Sequence, residues 1–415
     1  MLSMEKTPGG HARKSVGILL SQPFGYSLGT DSRVRGLVSG FESLGIEPLL
    51  MIPGRTVEGD GVADEVYLGG QSLPGFGKFQ ATIRHLLACP VLGNLLFGSN
   101  TGVQQQAKAI SNRVLTLHPD LDMIQAEQQV ASIAGLTLGR ELSIPVIADF
   151  HGVWSEELVA LGSVKRDGIA FRNIRTLEEM ILREADQVTV VSEEMREFLL
   201  FEFGADPSRI AVVPNILYAC SPVLSPKTHP RRVIFAGMLS PLQNVSLLMK
   251  TLAIVAAAEP NVEFFLTDRG EVSRQVKKLC RKLELPTTFF WYESPSEFLS
   301  FLASCDIGLL PAMPDLDRRV GYPSKLLNYM SVGLPVVANR GGPLTDIIEK
   351  EGFGVVTDDS AEDFARGIVA LLRDPKQVQA CGERGLELFR SRYDSPQAVE
   401  RLSEVCGRLQ RRTAG

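Results

Sequence analysis

The residues best placed for chemistry are Ser324, Lys325 and Asn328, which fall within little more than one helical turn. Pro323 disfavours helix at Tyr322, and Ser324 is a good N-cap, so a helix is expected to begin there. Leu326, Leu327 and Met330 follow at helical spacing and can face a core. Gly333 suits a left-handed C-terminal cap, and Pro335 prevents continuation. The start of such a helix is an anion site. Free backbone N–H groups at Ser324, Leu326 and Leu327 and the positive end of the macrodipole would face the ligand, with the Lys325 charge beside them. Asn328, one turn in, can reach a hydroxyl. A diphosphate carrying a ribose would satisfy all three. A plain capped helix with a solvated lysine would use the same residues, so the helix alone leaves both readings open.

A second candidate is His151, at the end of the apolar run Pro145–Phe150 and followed by Gly152. Ligands of open α/β sheets gather at the carboxyl ends of strands, which is where this histidine would stand. A buried structural histidine is the alternative. Two DxD triplets, Asp120–Asp122 and Asp315–Asp317, have the spacing of a metal-diphosphate clamp. The first leads into a strand and reads as packing. The second lies in a charged loop with Arg318 and Arg319. No metal is expected, because the helix end and Lys325 can offset phosphate charge.

The elements that must position these groups alternate strand and helix. Ser15–Ser21 reads as a strand. A glycine loop through Gly25 and Gly29 follows, then a helix capped at Thr30 or Asp31 with Val34, Leu37, Val38, Phe41 and Leu44 at helical spacing, then a strand from Ile46. The loop lacks GxGxxG and a placed ribose acid, so a nicotinamide cofactor is disfavoured. Glu178–Glu184 reads as helix, Val188–Val191 as strand, and Ser192 as the cap of a helix closed by Gly204. Residues 218–230, with three prolines and two serines, read as a linker. From Arg231 the alternation resumes: strand Val233–Ala236, helix Val245–Ala258, strand Val262–Thr267, helix Val272–Leu283, strand Thr288–Trp291, helix Ser296–Ser304 and strand Ile307–Leu310. That pattern specifies a parallel sheet covered on both faces. A disordered tail (1–14), two Rossmann-like domains (15–217 and 231–388) and a terminal helix (389–415) complete the division.

At 415 residues the chain suits two domains, and 44% hydrophobic residues with 22% charged can bury two cores. A net charge of −5 argues against a nucleic-acid binder. The six cysteines (89, 220, 280, 305, 381, 406) have no metal or redox spacing and read as reduced thiols of a cytoplasmic protein. Met1–Lys14 is polar and lacks the apolar core of a signal peptide, and no apolar run approaches the length of a membrane span. Residues 71–101 line up Phe76, Phe79, Ile83, Leu86 and Leu87, and serve either as a helix on the core or as an amphipathic patch for a lipid-linked acceptor or a membrane surface.

Taken in order, Val233–Gly237, Cys305–Pro311, Tyr322–Ala338, Gly341–Gly342 and Gly352–Val356 resemble the donor-binding half of family 4 (group 1) retaining glycosyltransferases. The resemblance runs over most of the chain. It implies the GT-B fold, two Rossmann-like domains with parallel sheets facing a central cleft. It implies transfer of a hexose-like sugar from a nucleoside-diphosphate sugar, as co-substrate, to a glycan, lipid-linked or small-molecule acceptor with retention of configuration. His151 would contact the sugar and Lys325 the diphosphate. Gly25, Gly237, Ser240, Ser324, Leu326, Leu327 and Asn328 would line the donor site, with Arg318 or Arg319 as further phosphate support. The last helix would cross back to the N-domain. Two departures stand out. Asn328 and Val320 occupy positions where the family often has glutamates. Met238 and Gln243 replace the arginine and lysine that clamp the diphosphate, a loss of cations that weakens support for a developing negative charge. A nucleotide-sugar-binding protein without transfer, or a sugar-nucleotide epimerase on the same scaffold, are the alternatives that these departures keep open.

Overall fold

The computed structural model describes residues 14–21, 28–53, 66–68, 101–116, 120–160, 162–217, 231–240, 243–270, 272–292, 294–311, 324–341 and 343–413. The N-terminal half contains β1 (Ser15–Leu19), α1 (Leu28–Ser43), β2 (Glu47–Pro53), β3 (Val66–Leu68), α2 (Thr101–Leu115), β4 (Met123–Glu127), α3 (Gln128–Leu142), β5 (Val146–Phe150), α4 (Trp154–Ala160), α5 (Ile169–Glu184), β6 (Gln187–Val190), α6 (Glu193–Phe203) and β7 (Ile210–Val212). The C-terminal half contains β8 (Arg232–Phe235), α7 (Val245–Ala258), β9 (Glu263–Thr267), α8 (Ser273–Lys282), β10 (Thr287–Phe290), α9 (Pro295–Ala303), β11 (Ile307–Leu310), α10 (Ser324–Ser331), β12 (Val336–Asn339), α11 (Pro343–Glu351), β13 (Gly354–Thr357), α12 (Ala361–Arg373), α13 (Pro375–Arg392) and α14 (Ser395–Thr413).

The strands form two sheets, β3-β2-β1-β4-β5-β6-β7 and β10-β9-β8-β11-β12-β13. All pairings are parallel. Each order reverses once, between β1 and β4 and between β8 and β11, creating the crevice where such sheets bind ligands. The central strands are buried from end to end (β4, β5, β6, β11 and β12), as expected of parallel strands covered by helices on both faces.

Local signals explain most boundaries. Ser192 accepts a hydrogen bond from the Met195 N–H and Gly204 closes α6 in the left-handed region, as expected from the sequence. Gly333 ends α10 with φ 63°. Asp122 accepts from the Ser15 N–H at 2.7 Å and so pins the start of β1, which is the packing role expected of the first DxD. Three expectations are corrected. Helix α1 starts at Leu28, ahead of Thr30 and Asp31. Helix α5 starts at Ile169, nine residues before Glu178, because Leu177, Ile174 and Ile181 extend one buried stripe. The terminal helix begins at Ser395, not at 389: α13 continues to Arg392 before the chain turns. Ala398, Leu402, Val405, Cys406 and Leu409 of α14 then pack with Val34, Leu37, Val38 and Phe41 of α1 in one cluster. The Ser395 hydroxyl donates to the Leu217 carbonyl. Cys280, Cys305, Cys381 and Cys406 are buried free thiols. No described helix is long and apolar enough to cross a membrane.

Candidate functional site

Helix α10 starts at Ser324, with Ser324, Lys325 and Asn328 partly exposed and Leu326, Leu327, Tyr329 and Met330 buried. The buried side chains anchor the helix and leave its first N–H groups without intrahelical acceptors. Tyr329 fixes its direction. The phenol is fully buried, its hydroxyl accepts from the Ala236 N–H at 2.8 Å, and burial pushes its ionisation beyond the ordinary tyrosine range. This bond ties α10 to the carboxyl end of β8. α10 also packs against α1, so it lies where the two halves of the chain meet.

At the end of β8, Gly237 accommodates Lys325. A Cβ at Gly237 would stand 2.8 Å from the Lys325 Nζ and 2.9 Å from the Phe235 ring. The ammonium lies 4.6 Å from the Phe235 ring centroid and donates to the Gln243 Oε1. The loop holding it is braced by Gly270 (φ 119°), whose missing side chain lets the turn after β9 lie directly on the Leu239 backbone. Leu239 N–H donates to the Arg269 carbonyl at 2.8 Å. Met238 and Ser240 are partly exposed in this loop. The sequence therefore loses two cations, but Gln243 is not idle, because it orients the lysine that remains.

The N-terminal half contributes a charged cluster at the carboxyl ends of β4, β5 and β6. Register places Glu127 beside Asp149 and Asp149 beside Thr189. Arg33, 1% exposed, reaches in from α1: its Nε lies 3.1 Å from Asp149 Oδ2 and its Nη2 2.8 Å from Oδ1. Arg33 also donates to the carbonyls of Val213 and Pro214 at 2.8 and 2.7 Å. The Thr189 hydroxyl bonds Asp149 Oδ1. The His151 Nε2 faces Asp149 Oδ2 and, at 2.8 Å, Glu127 Oε2. Gln125 donates to the other Glu127 oxygen at 3.1 Å. Burial opposes ionisation of Asp149, but Arg33 and His151 outweigh it and hold the carboxyl well below its ordinary range. Burial would lower His151, yet the two carboxylates raise it to about 9.

Glu127, Asp149 and His151 lie close enough to share a cation. Asp149, however, has its four lone-pair positions taken by two Arg33 nitrogens, Thr189 and His151. That donor set suits an internal ion-pair network rather than a metal centre.

The expected residues thus fall into two groups. Lys325, Gly237, Ser240, Ser324, Leu326, Leu327 and Asn328 come together around the ends of β8 and α10. His151 stands at the corresponding end of the other sheet. Gly25, Arg318, Arg319, Asp315–Asp317, Val320, the linker 218–230 and all but the last residue of 71–101 lie outside the described residues. Arg33, Glu127, Gln125 and Asp149 escaped the sequence reading. Asp149 carried a signal, because it is two residues before His151 on a strand and so shares its face. Arg33 carried one too, in helical register with Leu37 and Phe41 on an apolar stripe.

Comparison with known proteins agrees with the geometry. The family model for glycosyl transferases group 1 matches residues 221–388, and that for the glycosyl transferase 4-like domain matches residues 29–216. Together they cover every described strand of both sheets except β1. The chain belongs to the group 1 glycosyltransferases. Within that family, a probable glycosyltransferase WbjE of Pseudomonas aeruginosa is 27% identical over 220 residues, 49% of this chain and 54% of that one. The chain spans about half to two thirds of the length of the first curated relatives it matches. Among solved structures, sucrose-phosphate synthase from Thermosynechococcus elongatus superposes with a TM-score of 0.73 at 15% identity, over 97% of this chain and 100% of that one. Anabaena Alr3699/HepE in complex with UDP-glucose superposes with a TM-score of 0.66 at 15% identity, over 95% and 99%. These likenesses establish the GT-B fold of the group 1 glycosyltransferase described above.

Proposed function

We propose that this protein transfers a hexose-like sugar from a nucleoside-diphosphate sugar to a glycan, lipid-linked or small-molecule acceptor, with retention of configuration. The observation that carries the reading is the placement of Lys325. Its ammonium is held over Gly237 at the carboxyl end of β8, beside the point where strand order reverses, with the free amides of α10 next to it. A diphosphate in that crevice meets a helix N-terminus and one full charge, which stabilise negative charge as the sugar departs. Ser324, Leu326 and Leu327 supply amides, and Asn328 supplies an acceptor and a donor for a ribose hydroxyl. His151 meets the sugar from the other sheet.

Retention is favoured by the state of the N-terminal groups. Inversion in one step needs a general base on the acceptor. Asp149 is saturated by cations and hydroxyl, and His151 is bound to two carboxylates. Asp149 has no free lone pair, and His151, raised to about 9 by those carboxylates, carries a proton on Nδ1 at neutral pH. The departing phosphate is then the group that takes the acceptor proton on the same face. That HepE was solved with UDP-glucose supports a uridine diphosphate donor as the first to try.

The test is incubation with UDP-, GDP- and ADP-sugars, with and without acceptor sugars. Nucleotide release that requires acceptor is expected, with the product anomer matching the donor. The correct nucleotide also raises the melting temperature, since stabilisation follows RT ln(1 + [L]/Kd). Lys325→Ala should lower turnover by at least about tenfold. Wild-type-like turnover in that variant removes the lysine from the mechanism. Binding without release favours a non-catalytic protein, and an epimer formed without acceptor favours an epimerase.

A further inference from the structure

His151 meets two carboxylates through one nitrogen. Nε2 faces Asp149 Oδ2 and lies 2.8 Å from Glu127 Oε2. Its single hydrogen cannot serve both acceptors well, and Glu127 Oε2 is buried without a well-formed hydrogen bond. The charge balance follows from the neighbours. Arg33 neutralises Asp149 through paired contacts. Glu127, 1% exposed, then has only the neutral amide of Gln125 on its other oxygen. A buried carboxylate with no cation is costly, and the group within reach that can supply the charge is His151. We propose that Glu127 and Asp149 are positioning residues that hold His151 as an imidazolium, so that it serves sugar transfer as a charged hydrogen-bond donor and not as a base. The inference rests on the transferase reading above and extends it to the protonation state of the site.

Nδ1 is the nitrogen left for substrate. The Gln128 side-chain amide stands beside it with Nε2 at 3.4 Å, too long for a strong bond, and a protonated Nδ1 requires that amide to be turned so that Oε1 faces the ring. Gln128 itself is held at φ 67°, a conformation uncommon for a residue with a side chain, at the carboxyl end of β4. His151 is 14% exposed through its side chain, enough for a ligand oxygen to reach the ring edge. Among the described residues, the charged groups acting on it are Asp149 from β5 and Glu127 from β4, with Arg33 of α1 acting through Asp149. Burial and the Asp149 charge leave Glu127 above its ordinary value despite the opposing pull of His151 and Arg33, and the two carboxylates raise His151 to about 9.

The experiment is a titration of the imidazole nitrogens by NMR in protein labelled with 15N-histidine, the five histidines being assigned with His151→Gln. His151 is expected to stay protonated through neutrality, with a midpoint near 9. Asp149→Asn strands Arg33 and threatens the fold, so the variant of choice is Glu127→Gln, which keeps side-chain volume and an oxygen for Gln125. In it the midpoint should fall towards the ordinary histidine value. Turnover should then drop at least about tenfold between pH 6 and pH 8 while the wild type stays flat. Recovery at low pH is what a merely structural lesion would not give. A neutral His151 at pH 7.5 in the wild type, or an unmoved midpoint in Glu127→Gln, overturns the proposal. The spectra need no substrate. A protein that transfers no sugar would refute the transferase reading and leave the proton's position to be decided by NMR.

Discussion

Glu178 offers a pH-dependent stability that can be worked from its surroundings. It lies in α5, fully buried, with one oxygen accepting from the Ser155 N–H at 3.2 Å. The other oxygen has no hydrogen-bond partner. Burial raises its pKa from 4.5 to about 7, against the smaller opposing pull of Ser155 and Arg175. A carboxyl raised in this way stabilises the fold fully below 4.5 and loses that contribution as pH climbs through 7. The difference of 2.5 between these values corresponds to roughly 3 kcal/mol at about 1.36 kcal/mol each. Between pH 5 and pH 8 about 2.5 kcal/mol of it is lost. Glu178→Gln removes the ionisation but adds its own pH-independent cost. The variant should therefore gain about 2.5 kcal/mol on the parent between pH 5 and pH 8. Urea unfolding followed by Trp154 fluorescence measures this in the N-terminal half, once the second tryptophan is replaced in both proteins by Trp291→Phe. A variant-to-parent difference that stays constant from pH 5 to pH 8 would refute the reasoning. The consequence reaches the site, because Ser155 lies in the first turn of α4, the helix that follows the turn after His151.

Two further substitutions test the geometry. Gly237→Ala puts a methyl 2.8 Å from the Lys325 Nζ and 2.9 Å from a buried ring, so the flexible lysine end must move. Nucleotide affinity measured by calorimetry should fall about tenfold, the scale of one misplaced charge-assisted bond, with a lower melting temperature from crowding the Phe235 ring; unchanged affinity would place the phosphates elsewhere. Arg33→Leu leaves Asp149 buried without its cation, and urea unfolding should show a loss of about 3–5 kcal/mol. A loss under 1 kcal/mol would mean that water reaches the cluster.

Much of the fold was readable along the chain. The α7 range and the β11 range agree with their apolar patterns, and Ser192, Gly204 and Gly333 mark ends where their side-chain chemistry requires them. Boundaries moved where tertiary packing extended an element, as at Ile169, whose helix continues a stripe that Glu178 conceals. The helix at Ser324 was legible because its chemistry is local: cap, lysine and amide lie within five residues. Gln243 was read as a lost cation. Only the fold shows it bonded to Lys325, 82 positions away.

The sequence by itself determined the alternation of strand and helix, the start of α10 and the position of His151 at a strand end, because these depend on periodicity and caps within a turn or two. Tertiary structure decided the electrostatics. Arg33 meets Asp149 across 116 positions, and Glu127 stands beside Asp149 only through the pairing of β4 with β5. A charge acquires its meaning from what is buried against it, and parallel pairing brings together residues whose separation along the chain carries no signal.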